Sequence, residues 1–368
     1  MSHSSIEMDS LVKSNPIIFD ADAGTSSISE LKRLEQLEVG GLILGPLVSD
    51  EVTNMLRSLT RKYEVVVDRK NIKLLYPLKG IGIDGVDRIS DLTRYAREEM
   101  GLKLVGLRLI ATKYSEWMKL LQLTLEDIDL IELDFSVPFL ISEERRSFNR
   151  LLYEIVHDIT SMSLKPVAVR LPFFIPELRD LVERLSALNI AFVAISSAYL
   201  HYKVSLTDER TTIRKALCKD SSINDLILSL IKPWTIRKDN IVLSIETLDE
   251  EFIIKSLSVG IKAFELGFST FMLNMPSLIA ATKTIKRVTT VETLEVPSKG
   301  PVVIVVSDKC DTCNGNYLCV KMCPENVIKI NERGFPEQLR SCSGCNLCVS
   351  VCPENAIKLA FELEVKRL

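Results

Sequence analysis

Along the first three hundred residues, short apolar runs alternate with stretches whose apolar positions recur three or four residues apart. Pro16–Asp20 and Gly41–Gly45 read as brief buried strands, followed by Val105–Ile110, Leu130–Phe135, Pro166–Leu171, Ala191–Ser196, Ile241–Ile245 and Ala263–Leu266. Between them lie segments with the spacing of amphipathic helices: Ser29–Val39, Asp50–Tyr63, Ser90–Met100, Glu116–Leu123, Glu143–Met162, Pro176–Ala187, Ile223–Ile231 and Asp249–Ser258. Strands this uniformly apolar are covered on both faces, as parallel strands are. Eight strand–helix units in about 280 residues predict an α/β protein built on a (β/α)8 TIM barrel. A doubly wound sheet is the alternative, but no G-x-G-x-x-G follows the first strand. Val65–Asp68 and Ile72–Leu75 break the alternation around Arg69-Lys-Asn71 and predict a hairpin inserted between the second and third units.

Composition narrows the function classes. The 368 residues carry 46 Lys+Arg against 49 Asp+Glu, a net charge of −3. That disfavours a nucleic-acid partner, since such domains sit above about pI 9. Apolar residues at 46% and charged residues at 26% make the chain globular. A mean hydropathy of +0.17 is high and points to apolar surface covered by a partner protein. No run approaches the ~18 apolar residues of a membrane span. Met1–Lys13 lacks the apolar core of a secretory signal, so the expected location is cytoplasmic.

Eight of the nine cysteines fall between Cys310 and Cys352. They read Cys310-x2-Cys313-x5-Cys319-x3-Cys323-Pro324 and Cys342-x2-Cys345-x2-Cys348-x3-Cys352-Pro353. The second run is the C-x2-C-x2-C-x3-C-P pattern, in which three close thiolates hold one [4Fe-4S] cluster and the fourth reaches the other. Cys342, Cys345, Cys348 and Cys323 are therefore expected to ligate one cluster, and Cys310, Cys313, Cys319 and Cys352 the second. Cys323-Pro-Glu-Asn-Val-Ile-Lys returns as Cys352-Pro-Glu-Asn-Ala-Ile-Lys, an internal repeat. The first run has three extra residues, and its Asn314-Gly315-Asn316 is turn chemistry suited to a surface loop. Disulfides need an oxidising compartment, and zinc knuckles do not use this doubled pattern. From about Pro301 to Ala360 the residues resemble a bacterial-type two-cluster ferredoxin domain. The expected division is a barrel over 1–297 and a small α+β 2[4Fe-4S] domain over 298–368.

Within the barrel, Glu132-Leu-Asp-Phe-Ser-Val-Pro-Phe139 is similar to the E-L-N-x-S-C-P-N of the dihydroorotate dehydrogenase family, and Pro166-Val-Ala-Val-Arg-Leu171 resembles its P-V-x-V-K-L. A barrel followed by a two-cluster ferredoxin resembles the C-terminal half of dihydropyrimidine dehydrogenase and its bacterial subunit. The resemblance implies FMN at the C-terminal mouth, with its phosphate held by loops after the seventh and eighth strands. On this reading Arg170 replaces the family's lysine beside the flavin, and Gly267, Ser269 and Thr270 form the turn after the eighth strand. The departures imply weak or absent FMN binding. The seventh strand ends Leu243-Ser-Ile-Glu-Thr247, without a glycine pair and with Glu246 near the phosphate position; the second family lysine is missing near Gly45-Pro46. Asp134, Val137 and Phe139 stand where the family has an asparagine, the catalytic cysteine and a second asparagine. Valine cannot take a proton, so pyrimidine oxidation is not expected, and Ser136 and Ser142 read as loop or cap serines. No catalytic residue is assigned.

The remaining candidates have plain readings. His157 reads as structural, Cys218 as a buried small hydrophobe, and Glu143-Glu-Arg-Arg146 and Asp208-Glu-Arg210 as solvated charges. His201 follows the sixth barrel strand on the mouth side. Two functions of different class remain. One is an electron-transfer protein or subunit of a larger oxidoreductase complex, passing electrons to a redox partner protein. The other is an FMN-dependent iron–sulfur oxidoreductase with an altered substrate.

Overall fold

The computed structural model describes residues 17–20, 27–35, 39–56, 64–68, 71–76, 81–123, 126–141, 148–206, 211–220, 222–234, 240–245, 250–261, 263–267, 302–305, 309–323, 326–339, 347–354 and 356–360. The chain divides into two compact units, residues 1–224 with 235–290, and 225–234 with 291–368.

In the first unit the strands are β1 (Ile17–Phe19), β2 (Gly41–Val48), β3 (Glu64–Asp68), β4 (Asn71–Tyr76), β5 (Leu104–Ile110), β6 (Leu130–Asp134), β7 (Val167–Pro172), β8 (Val193–Ser196), β9 (Tyr199–Leu206), β10 (Thr211–Asp220), β11 (Ile241–Ile245) and β12 (Ala263–Leu266). Eight of them, β1, β2, β5, β6, β7, β8, β11 and β12, close a parallel barrel in that order, with β12 paired back onto β1. Each predicted barrel strand is present. Helices between strands bury one stripe each. Val86–Glu98, for example, buries Ile89, Leu92, Thr93 and Ala96, the i, i+3, i+4, i+7 face. Each such apolar side chain removed from water contributes about 1.5–3 kcal/mol.

The buried side chains of the barrel fall into separate clusters. At the N-terminal end Ile18, Ile43, Leu104, Leu130, Ala168, Phe192, Ala194, Val242 and Ala263 form an apolar floor. Gly106 belongs to this crowding, because a Cβ there would lie 2.6 Å from Ile43 Cδ1. Toward the C-terminal end Val48, Val52, Ile110, Val137, Leu140 and Leu217 form a second apolar cluster. A layer of charged and hydroxyl side chains lies between the two in chain position.

The predicted hairpin exists as β3 and β4, with Asp68 opposite Asn71. It is half of a four-stranded antiparallel sheet ordered β3-β4-β10-β9. The β9–β10 pair was not predicted. Tyr199–Leu206 and Thr211–Asp220 mix charged, hydroxyl and apolar residues without a continuous apolar run, so neither stood out as a strand.

In the second unit β13 (Val302–Val305) pairs antiparallel with β16 (Ile357–Ala360), and β14 (Ile328–Ile330) with β15 (Pro336–Gln338). One-turn helices span Leu318–Lys321 and Leu347–Ser350. The sequence repeat is a structural repeat: Cys319, Cys323 and Ile328 each have a counterpart 29 positions on, in Cys348, Cys352 and Ile357 (348 − 319 = 352 − 323 = 357 − 328 = 29). In both copies a helical turn carrying a cysteine leads through Cys-Pro into a strand. No helix among the described residues is long and apolar enough to cross a membrane.

Candidate metal centre

Cys310, Cys313, Cys319 and Cys352 line one small surface pocket, together with Asp311, Thr312, Tyr317, Pro336, Glu354 and Ile357. The structure thus brings together the whole quartet expected for the second cluster, across 42 residues of chain (352 − 310).

The local backbone explains how the chain winds around this cavity. Thr312, Cys313, Asn314 and Tyr317 all have φ between 46° and 58°, and Gly315 has φ 83°. Left-handed geometry at a non-glycine residue costs roughly 1–2 kcal/mol, so the turn is held by other interactions. The Asp311 carboxylate accepts the Cys313 N–H at 2.7 Å. Asn314, Gly315 and Asn316 are exposed, so the three extra residues form a surface turn. At the expected remote cysteine, the Ala356 N–H donates to Cys352 Sγ at 3.2 Å. Such N–H···S bonds are one of the determinants of cluster potential. Burial pushes the Cys319 thiol up, and the Cys313 and Cys310 thiolates beside it act the same way. A cluster, were one held here, would supply the positive charge that lets such thiolates coexist.

Cys348 and Cys319 are both 5% exposed and share a small core with Val327, Ile328 and Ile357, against which Cys323 and Cys352 also pack. Cys342 and Cys345, the other two expected ligands of the first cluster, lie outside the described residues.

The barrel residues proposed for a flavin sit differently. Arg170 is 1% exposed. Its Nη1 donates to Asp20 Oδ2 and to Glu265 Oε2, both at 2.7 Å, and its Nη2 to Ser196 Oγ at 3.3 Å. Arg108, fully buried, donates from Nη1 to Asp20 Oδ1 at 2.6 Å and from Nε to Glu132 Oε2. Ser244 Oγ donates to Asp20 Oδ2 at 3.0 Å. Asp134 Oδ1 accepts from Ser136 N at 2.7 Å and from Ser136 Oγ, while Oδ2 lies 3.7 Å from Arg170 Nε and 3.8 Å from Arg108 Nε. Burial pushes the Asp134 carboxyl up, against the pull of Arg170 and Arg108. This network was not foreseen beyond Arg170, although it left a trace in the sequence. Arg108 and Glu265 each interrupt an otherwise apolar buried strand, and Glu132 and Asp134 alternate with leucine in another.

Gly267 is buried, and its N–H donates to Ile245 O at 3.2 Å. Ser269, Thr270 and Glu246 lie outside the described residues, as do Ser142 and the two charge runs. Val137 and Phe139, 3% and 2% exposed, are in the short helix Ser136–Ile141. Phe139 belongs to an aromatic chain in which Trp117, Phe135, Phe148, Phe139, Phe174 and Phe173 follow one another at centroid distances of 4.8–6.3 Å. These positions act as packing.

His157 lies on the outer face of helix Phe148–Met162, its side chain 58% exposed beside Asp158. It is a surface residue rather than the structural one expected, because its neighbours Val156 and Ile159, not position 157, fall on the buried stripe. Cys218 is fully buried against Tyr199, as expected. His201 is in β9, opposite Ala216.

Residues 339–358 match the family model of the 4Fe-4S binding domain, a span that holds Cys342, Cys345, Cys348 and Cys352. No curated protein matches the chain. Among solved structures the chain is similar to a DHODH from Eimeria tenella, crystallised in complex with ferulenol, at 11% identity and a TM-score of 0.48, over 74% of this chain and 80% of that one. The protein therefore joins a closed eight-stranded parallel barrel to a 4Fe-4S binding domain.

Proposed function

We propose that this protein is an iron–sulfur electron-transfer protein, or a subunit of a larger oxidoreductase complex, that relays single electrons through two [4Fe-4S] clusters while the barrel serves as a docking body. The observation that carries this reading is the convergence of Cys310, Cys313, Cys319 and Cys352 on one cavity. It is the quartet that interleaved two-cluster ligation requires. Cys323, Cys342, Cys345 and Cys348 would hold the other cluster. The domain boundary is proposed near 297/298 and the location as cytoplasmic, where thiols stay reduced.

The barrel supports a docking role rather than flavin chemistry. A flavin needs a cation beside its ring and convergent N–H groups at its phosphate. Arg170 is already taken by Asp20 and Glu265, and Phe139 and Val137 fill positions where the related family reads its substrate. FMN binding is proposed to be weak or absent.

Anaerobically purified protein tests this. Iron and acid-labile sulfide should each approach about eight per chain, and Cys352→Ser should lower both to about four. Four in the wild type would mean that one quartet is vacant. Titration of the protein with FMN should give no sub-micromolar binding; tight binding, with resolved flavin bands in the visible spectrum, would promote the flavoenzyme reading.

A further inference from the structure

The barrel interior holds four carboxyl groups and two guanidinium groups, all with side chains no more than 2% exposed: Asp20 after β1, Arg108 on β5, Glu132 and Asp134 on β6, Arg170 on β7 and Glu265 on β12. β8 and β11 contribute the hydroxyls of Ser196 and Ser244, and β2 contributes no titratable residue. With every group ionised the charge is 2 − 4 = −2 in a site without water contact. Burying unpaired charge costs several kcal/mol per ion, so the ionised count cannot stand.

The carboxyls of Glu132 and Glu265 meet at one guanidinium: Arg108 Nε pairs with Glu132 Oε2, and Arg108 Nη2 lies 3.7 Å from Glu265 Oε2. Each uses one oxygen on an arginine, Glu132 Oε2 on Arg108 and Glu265 Oε2 on Arg170. The remaining oxygens, Glu132 Oε1 and Glu265 Oε1, are buried, and no N–H or O–H of the described residues donates to either. Two facing carboxyls, each with a spare acceptor and no donor, need a hydrogen between them. A metal ion does not meet the geometry, since no three of these carboxylates close on a common centre.

We infer that the barrel is a proton-binding site, in which Glu132 and Glu265 hold one proton between them at neutral pH. Burial and the neighbouring Glu132 charge push Glu265 well above the usual range for glutamate. The sign follows from this direction. The unfolded chain loses the proton near 4.5, whereas the folded pair keeps it to higher pH. The stabilisation is complete below that value and is lost as pH rises through the folded value of Glu265. Asp134, also pushed up by burial, acts in the same direction. In this window each extra proton held by the folded state raises the unfolding constant up to about tenfold per pH unit.

The full-length protein tests the assignment by infrared spectroscopy near pH 7. The wild type should show a protonated-carboxyl C=O band, shifted by deuterium, that is absent from Glu265→Gln or from Glu132→Gln. Lack of the band in the wild type overturns the inference, as does its survival in both variants. The second measurement is urea unfolding against pH, followed by Trp117 emission in a Trp234→Phe background. Glu265→Gln should make the pH slope shallower by close to one proton; coincident slopes would sink the idea. If neither glutamine variant folds, the wild-type band alone decides.

Discussion

The two units neutralise their buried charge in opposite ways. In the barrel, Arg108 and Arg170 pair with Asp20, Glu132 and Glu265, so the polar layer is held by ion pairs within the chain and by the proton inferred above. In the cysteine unit, Cys310, Cys313, Cys319 and Cys352 surround a cavity with no basic side chain among its lining residues. On the proposed reading, an inorganic cluster would balance the thiolates there. A self-sufficient interior can fold first and persist alone. An interior made of ligands folds with its metal.

The sharpest way to break this comparison is to remove iron. Chelation under oxidising conditions should abolish amide protection at Ile328 and Ile357 while leaving the barrel strands protected, as read by hydrogen exchange. Equal loss in both units would end the distinction. Structural metal sites are worth on the order of 10 kcal/mol or more, so this is the largest effect expected. Next comes Arg170→Met, which strands Asp20 and Glu265. Its cost should be about 3–5 kcal/mol in the barrel's denaturant transition. A loss below 1 kcal/mol would show that the carboxyls simply take up protons. Ser244→Ala removes one hydrogen bond to a charged acceptor and should cost roughly 1.5–3 kcal/mol in the same assay. Arg94→Ala breaks an Arg–carboxylate pair of similar length, 2.6 Å to Asp91, but with side chains 64% and 54% exposed. It should change stability by less than about 0.5 kcal/mol. Together the last three substitutions separate burial from chemistry.

The two units also differed in how legible they were. The cysteines are close together in sequence, and their spacing alone points to both proposed quartets. The barrel strands were legible because each is a continuous apolar run. What the runs could not convey is how residues on different strands meet. Arg170 looked like a cation reserved for a ligand because its partners, Asp20 and Glu265, are 150 and 95 residues away. Periodicity says which side chains face inward, but not which inward side chains touch. β9 and β10 were missed for a related reason, since a mixed pattern of charges and apolar residues satisfies no single template.

The seam of the barrel also bears on how the protein is made. β1 is closed by β12 through Phe19 opposite Leu266, so 266 − 19 = 247 residues separate the two sides of that seam. At roughly 5–20 residues per second, a ribosome needs on the order of 12–50 s to deliver the closing strand. During that interval the nascent chain carries open strand edges, and Asp20 and both arginines await Glu265. A chaperone that shields those edges would be engaged before any cysteine of the cluster domain has left the exit tunnel.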